Sequence, residues 1–173
     1  VLPSDPRRDG RENEQVYFDV IESVRSVSRI PLALKIGSSF SSVSNMCVEL
    51  GLRDIQALVL FNRFYQFDFD IDNFRMVAAP YLSSPDEQSL PLRWVSILAG
   101  RVDCDLCAST GIHDAAGVVK QLLAGATAVQ VCSALYKHGI GRLEQILDGV
   151  SAWMDKHGRS TIDEFRGKMS RDE

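Results

Sequence analysis

Short apolar runs alternate with longer amphipathic segments along this chain. Four apolar runs predict β-strands, at residues 31–37, 55–61, 104–109 and 127–132. Amphipathic spacing predicts helices at residues 11–28, 39–50, 90–98, 113–124 and 140–157, and a last short helix is predicted to begin near Ser160. Strands that alternate with helices are typical of parallel sheets with right-handed crossovers. We therefore expect one α/β domain over residues 1–173, for which periodicity alone leaves a (β/α)₈ barrel and an open doubly wound sheet as alternatives.

Residues 62–88 interrupt this alternation. Phe and Tyr are interleaved with acidic residues there, and the segment ends in turn-forming Ser and Pro. We predict a long excursion that contains a hairpin, and long loops inside compact domains usually serve a function. Elsewhere, Gly51 and Gly125 are predicted to end the helices that precede them.

Composition and charge limit the classes of function. The chain has 173 residues, of which 45% are hydrophobic and 24% charged, and its formal net charge is -4. It lacks the basic patch or stripe of a nucleic-acid-binding protein, and no apolar run reaches the roughly 18 residues of a membrane span. We therefore expect a small-molecule partner, with no nucleic acid and no membrane. The chain is also shorter than the roughly 200 residues of a complete (β/α)₈ barrel.

Four cysteines are present: Cys47, Cys104, Cys107 and Cys132. Cys104 and Cys107 form a CxxC motif, but a structural zinc site needs a second ligand pair of matching spacing, which the other two do not supply. If residues 104–109 form a strand, the two sulfurs of the motif point to opposite faces. We expect buried free thiols, no metal site and a reducing, cytoplasmic location.

Two turns with small residues follow consecutive predicted strands. Residues 109–112 (STGI) and 132–135 (CSAL) each lie between a strand end and a helix. Small residues at such a turn let backbone N–H groups approach a phosphate, and the helix N-terminus adds a favourable dipole. Each turn alone is weak evidence, but two on consecutive strands are typical of the phosphate site after strands seven and eight of (β/α)₈ barrels.

With these turns in view, the chain resembles a known family. Residues 110–149 (TGIHDAAGVVKQLLAGATAVQVCSALYKHGIGRLEQILDG) are similar to the C-terminal barrel segment of dihydroorotate dehydrogenases, and residues 160–169 (STIDEFRGKM) are similar to that family's ending. Residues 32–37 (LALKIG) and 58–64 (LVLFNRF) fall where the family has two strands that contact flavin and substrate. The resemblance implies an FMN-binding TIM barrel of pyrimidine biosynthesis, of which this chain holds the C-terminal portion, about strands five to eight.

The resemblance also implies roles for particular residues. Lys35 matches a lysine near the flavin ring, where a cation favours the anionic reduced flavin. Asn62 matches an asparagine that hydrogen-bonds the pyrimidine substrate. The cofactor phosphate is expected at four further positions: Thr110, Gly111, Cys132 and Ser133. The family has paired glycines in the first turn and Gly-Thr in the second, whereas this chain has Thr-Gly and Cys-Ser. The backbone donors are expected to remain, but the distance at which the phosphate can approach them changes.

The catalytic base departs from the family pattern. In the family a Cys or Ser directly precedes a Pro after strand four, whereas here Leu2 precedes Pro3. Ser4 or Asp5 could substitute only if that loop is displaced, and Ser4 is taken as the candidate base. The expected function is therefore a flavin-dependent oxidoreductase that transfers hydride between a dihydropyrimidine-like substrate and FMN. The alternatives are an FMN- or phosphate-binding barrel that does not oxidise dihydroorotate, and a non-flavin phosphate-barrel isomerase or aldolase.

Half a barrel would leave two open strand edges, and open edges pair with other chains. We therefore expect a homo-oligomer or a complementing N-terminal half of the barrel.

Overall fold

A four-stranded parallel sheet is the centre of the fold. The computed structural model describes residues 4–170, and within them it contains six strands: β1 (Ala33–Ile36), β2 (Ala57–Leu60), β3 (Phe67–Asp70), β4 (Arg75–Ala78), β5 (Asp105–Ser109) and β6 (Ala128–Gln130). The sheet has the order β1-β2-β5-β6, with Lys35 opposite Val59 and Val59 opposite Cys107. This order follows the chain without the reversal that characterises doubly wound sheets. The predicted α/β class with parallel strands is confirmed.

The same residues contain six α-helices, of which the first precedes the strands and the others connect or follow them: α1 (Gly10–Val27), α2 (Val43–Gly51), α3 (Ser89–Leu98), α4 (Ala115–Ala124), α5 (Ser133–His138) and α6 (Arg142–Lys156). Asp9 and Asp114 cap α1 and α4, because each carboxylate accepts a backbone N–H of the first turn. Gly125 ends α4 at a φ of 113°, as predicted. Among the helices of residues 4–170, none combines the length and apolarity that crossing a membrane requires.

The core lies between one face of the sheet and the helices. Leu58, Leu60 and Ala108 are fully buried on that face and belong to one hydrophobic cluster with residues of α2 and α3. Successive side chains of a strand point to opposite faces. Lys35 and Gln130 therefore lie on the other face of the sheet, where both are exposed.

The excursion between β2 and α3 contains the predicted hairpin. β3 and β4 pair in antiparallel fashion, with Phe69 opposite Met76, and both of these side chains are exposed. A 3₁₀ helix at Pro85–Gln88 then leads directly into α3. The aromatic and acidic pattern of the sequence thus corresponds to a two-stranded arm followed by a return to the body of the protein.

Three local details differ from the predictions. Gly51 is the last residue of α2 and Leu52 is its C-cap, so the helix ends one residue later than predicted. The six-residue helix α5 was missed. The last short helix begins near Ser160 as predicted, but it is a 3₁₀ turn at Ile162–Glu164 with Thr161 as its N-cap.

Candidate functional site

Lys35 extends from β1 towards the neighbouring strands. Its Nζ donates to Ser109 Oγ at 3.0 Å and to Gln130 Oε1 at 3.1 Å, so the ammonium group contacts side chains of β5 and β6. Both partners are neutral oxygens, and none of the ion pairs within residues 4–170 involves Lys35. The positive charge therefore has no compensating carboxylate in the described part of the chain.

The turn after β5 adopts a backbone conformation that favours glycine. Thr110 and Gly111 have φ values of 86° and 77°. The Thr110 hydroxyl donates to the Phe61 carbonyl at 3.1 Å, at the end of β2. A Cβ on Gly111 would lie 2.7 Å from the Glu87 carbonyl carbon and closer still to the backbone nitrogen of Gln88. The 3₁₀ helix of the excursion, which sequence reasoning did not consider, therefore requires glycine at this position.

The turn after β6 leads into α5. Cys132 is exposed and precedes the first helical residue, Ser133. The Ser133 hydroxyl accepts a hydrogen bond from the backbone N–H of Ser83 at 2.9 Å. The two turns therefore meet at the same end of the sheet, and a residue of the excursion lies between them.

Ser83 connects the two turns and was missed by sequence reasoning. It is 4% exposed, and besides its bond to Ser133 its carbonyl accepts from Lys137 Nζ at 2.7 Å. Its hydroxyl lies 3.1 Å from His113 Nε2 and accepts from the Gly111 N–H at 3.4 Å. The only local signal was the turn-like SSP sequence, which carries no information on partners that are 28 to 54 residues away.

Arg63 holds the same segment of the excursion from the other side. Its guanidinium donates to the carbonyls of Pro80 and Tyr81, both at 3.0 Å, and to Glu87 Oε2 at 2.7 Å. Burial disfavours the charged form of Glu87, but hydrogen bonds from Arg63 and from the Ser84 N–H outweigh it and lower the pKa of the carboxyl. Arg63 thus holds this part of the excursion close to Asn62, its neighbour in the chain.

These elements enclose a pocket of about 190 Å³ at the carboxyl ends of the parallel strands. Six of the seven residues proposed from the sequence line it, namely Lys35, Asn62, Thr110, Gly111, Cys132 and Ser133. Ser83 and Arg63 also line it, and none of its lining residues is acidic. Uncompensated positive charge, hydroxyl groups and an absence of carboxylates among these residues suit an anionic ligand.

Ser4, the seventh proposed residue, is exposed and is not among the residues that line the pocket. Leu2, which the resemblance placed at the base position, and Pro3, which follows it, lie outside the described residues. The role of Ser4 therefore stays a prediction.

The four cysteines are free thiols in different environments. Cys47 and Cys107 are buried, Cys104 is half-buried and Cys132 is exposed, so the expectation of burial was wrong for Cys132. Cys104 packs on the helical face, whereas Cys107 lies on the face of Lys35, as strand alternation predicted. Within residues 4–170 no group of three or more His, Cys, Asp or Glu side chains could hold a metal ion.

Comparison with known proteins identifies the family of this chain. Residues 5–154 match the family described as dihydroorotate dehydrogenase. The chain is 30% identical over 159 residues to the dihydroorotate dehydrogenase B (NAD(+)) catalytic subunit of Petrotoga mobilis, a match that covers 88% of the chain and 52% of the relative. It is 26% identical over 161 residues to the protein of the same name from Pyrococcus furiosus, covering 91% of the chain and 53% of the relative. The chain thus spans about half the length of these curated relatives.

Proposed function

The chain belongs to the dihydroorotate dehydrogenase family, and on that premise we propose that it is the FMN-binding part of a flavin-dependent oxidoreductase. The proposed reaction is hydride transfer between a dihydropyrimidine-like substrate and the flavin. The observation that carries the proposal is the pocket in which two strand-end turns, Lys35 and Asn62 come together without a carboxylate. When bound, FMN supplies the hydride chemistry, and the protein supplies binding and orientation.

We infer that the described sheet is the C-terminal portion of a TIM barrel, about strands five to eight. Its four strands are parallel and follow chain order, as barrel strands do. The face with Lys35 and Gln130 would then line the barrel interior. Residues 1–173 would form a single domain together with strands one to four of the barrel. A complementing half or another copy of the chain would join at the two edges of the sheet, β1 and β6.

The phosphate of FMN fits the turns after β5 and β6. A volume of about 190 Å³ is below the roughly 300–1,000 Å³ of complete ligand sites, so the pocket suits the phosphate end while the ring extends along the open face. Backbone donors of Thr110 and Cys132 and the hydroxyl of Ser133 would bind the phosphate, and Gly111, whose N–H donates to Ser83 Oγ, would let the phosphate approach because it has no side chain. This arrangement depends on main-chain and hydroxyl donors rather than on charged side chains.

Lys35 and Asn62 would act on the ring and on the substrate. The Lys35 ammonium group is held by neutral oxygens, so its charge is available to favour the reduced, anionic flavin. Asn62 offers both a donor and an acceptor to a pyrimidine ring. Its backbone N–H donates to the Ile36 carbonyl at 2.7 Å, which keeps Asn62 next to the end of β1.

One observation favours a second candidate function, an FMN-binding barrel that does not oxidise dihydroorotate. The candidate base, Ser4, does not line the pocket. Proton removal requires a base within hydrogen-bond reach of the substrate. In this second case Lys35 and the two turns keep their roles, but the substrate differs.

The test is anaerobic spectroscopy of the purified protein. We expect the protein to show flavin absorbance, and dihydroorotate to bleach it. Bound FMN that dihydroorotate does not bleach would leave the second candidate, and a colourless protein that takes up no added FMN would contradict both. The Asn62→Ala variant should keep the absorbance and require more substrate for bleaching, whereas Gln66→Ala, an exposed position of the excursion, serves as the matched control.

A further inference from the structure

Ser83 forms hydrogen bonds with both turns of the proposed phosphate site, at residues 109–112 and 132–135. Among residues 4–170, no hydrogen bond joins these two turns to each other directly. On the side of β6, the Ser83 N–H donates to Ser133 Oγ at 2.9 Å and Lys137 donates to the Ser83 carbonyl at 2.7 Å. On the side of β5, the Ser83 hydroxyl contacts Gly111 N–H and His113 Nε2. One buried residue therefore uses its donor, its carbonyl and its side chain to join two loops that come from different strands.

The bond to Ser133 determines what that hydroxyl offers to the pocket. A serine hydroxyl has one proton to donate and two lone pairs to accept with. The Ser83 N–H occupies a lone pair of Ser133, and within the described residues the proton of Ser133 has no protein acceptor. Since Ser133 lines the pocket, that proton is available for an anionic ligand there.

The bond to His113 adds a second partner to the Ser83 hydroxyl. The Ser83 oxygen accepts from the Gly111 N–H and lies 3.1 Å from His113 Nε2, to which it donates or from which it accepts according to the tautomer of the ring. Burial of His113, together with the nearby charge of Lys137, lowers the pKa of the imidazole and favours its neutral form. The hydroxyl of Ser83 thus bonds both the turn after β5 and the imidazole that follows this turn.

We propose that Ser83 is a positioning residue that sets the separation of the two turns, so that their donors converge on one phosphate group. This inference rests on the proposed function, because it assumes that the ligand is FMN. Ser83 itself need not touch the phosphate. It acts through the placement of Gly111 and Ser133.

The test compares FMN with riboflavin, which lacks the phosphate, by flavin fluorescence titration of the purified protein. The Ser83→Ala variant loses the hydroxyl contacts with Gly111 and His113 and keeps the backbone bonds to Ser133 and Lys137. We expect the Kd of FMN to rise roughly 3- to 10-fold, a change of the size of one net hydrogen bond, while the Kd of riboflavin is unchanged. The matched control is Ser96→Ala, which removes a hydroxyl whose one partner among residues 4–170 is the Arg93 carbonyl within α3. An unchanged FMN preference, or an equal loss for both ligands, would overturn the inference.

The same titrations distinguish a failure of the proposed function from a failure of the positioning role alone. If the unsubstituted protein binds FMN no more tightly than riboflavin, the phosphate site itself is wrong. If it prefers FMN and Ser83→Ala does so equally, the positioning role alone is wrong.

A second variant covers the case in which Ser83→Ala does not fold, as circular dichroism will show. Lys137→Met removes the donor to the Ser83 carbonyl, and Lys137 is exposed, so core packing is unchanged. High salt screens the direct effect of its charge on the phosphate. A reduced FMN preference that persists in high salt supports the inference, and a preference that is unchanged or restored by salt overturns it.

Discussion

Replacement of Gly111 by alanine tests the close contact between the turn after β5 and the excursion. The new methyl group would lie 2.7 Å from the Glu87 carbonyl carbon and closer still to the Gln88 nitrogen. Both neighbours are backbone atoms of a 3₁₀ helix, so they cannot move aside as a flexible side chain would. The turn and the excursion must separate for the methyl group to fit.

The magnitude follows from comparison with Gly100. Gly100 and Gly111 share a φ of 77°, but a Cβ on Gly100 would have no atom within 4 Å. Alanine at a left-handed backbone conformation costs about 1–2 kcal/mol, and this applies to both positions. Overpacking adds about 1–3 kcal/mol at Gly111 alone. The total of about 2–5 kcal/mol is a large part of the 5–15 kcal/mol by which domains are typically stable.

The assay is thermal unfolding of Gly111→Ala and Gly100→Ala side by side. A difference of about 1–3 kcal/mol corresponds to a Tm of Gly111→Ala that is roughly 2–12 °C below that of Gly100→Ala. Gly111→Ala should also bind FMN more weakly, because the turn is displaced. Equal Tm values for the two variants would refute the reasoning, since they would show that the excursion does not press on this turn.

Three further predictions concern charge and reactivity. Lys35→Met should make the reduction potential of bound FMN more negative, since it removes a cation that favours the reduced form, and a spectroelectrochemical titration that finds no shift would contradict its proximity to the ring. Iodoacetamide near neutral pH should modify the exposed Cys132 first and leave Cys47 unmodified until unfolding, because burial raises the pKa of the Cys47 thiol to about 12; mass spectrometry of the labelled peptides tests this order. Glu87→Gln should destabilise the protein above pH 4.5, the ordinary pKa of the group, and this loss should disappear at lower pH as Glu87 itself becomes protonated in the folded state, which urea unfolding across pH will measure.

Local features of the fold were predictable from short stretches of sequence. The four sheet strands and α4, with its end at Gly125, were predicted because apolar periodicity and glycine helix stops act over a few residues. The resemblance that placed Lys35 and Asn62 in one site relied on similar local strings. The structure brings those residues into one pocket, while their roles remain to be tested.

Errors arose where the local pattern is too short or too general to define an element. The helix α5 has six residues and lies between a strand and two glycines, so its own periodicity is too brief to detect. Gly51 resembles a helix stop, yet it is the last helical residue and Leu52 is the C-cap. A single glycine therefore did not fix the exact end of the helix.

The order of strand and helix patterns was sufficient for the α/β class of the fold and for the two turns at strand ends, and the resemblance of residues 110–149 was sufficient for the family. Only the folded chain shows that Ser83 and Arg63 of the excursion return to those strand ends and that Gly111 must be glycine because of Gln88. The physical reason is the separation in sequence over which each interaction acts. Helix and strand preferences are properties of consecutive residues, whereas hydrogen bonds between residues 24 to 54 positions apart exist only once the backbone between them has taken its path.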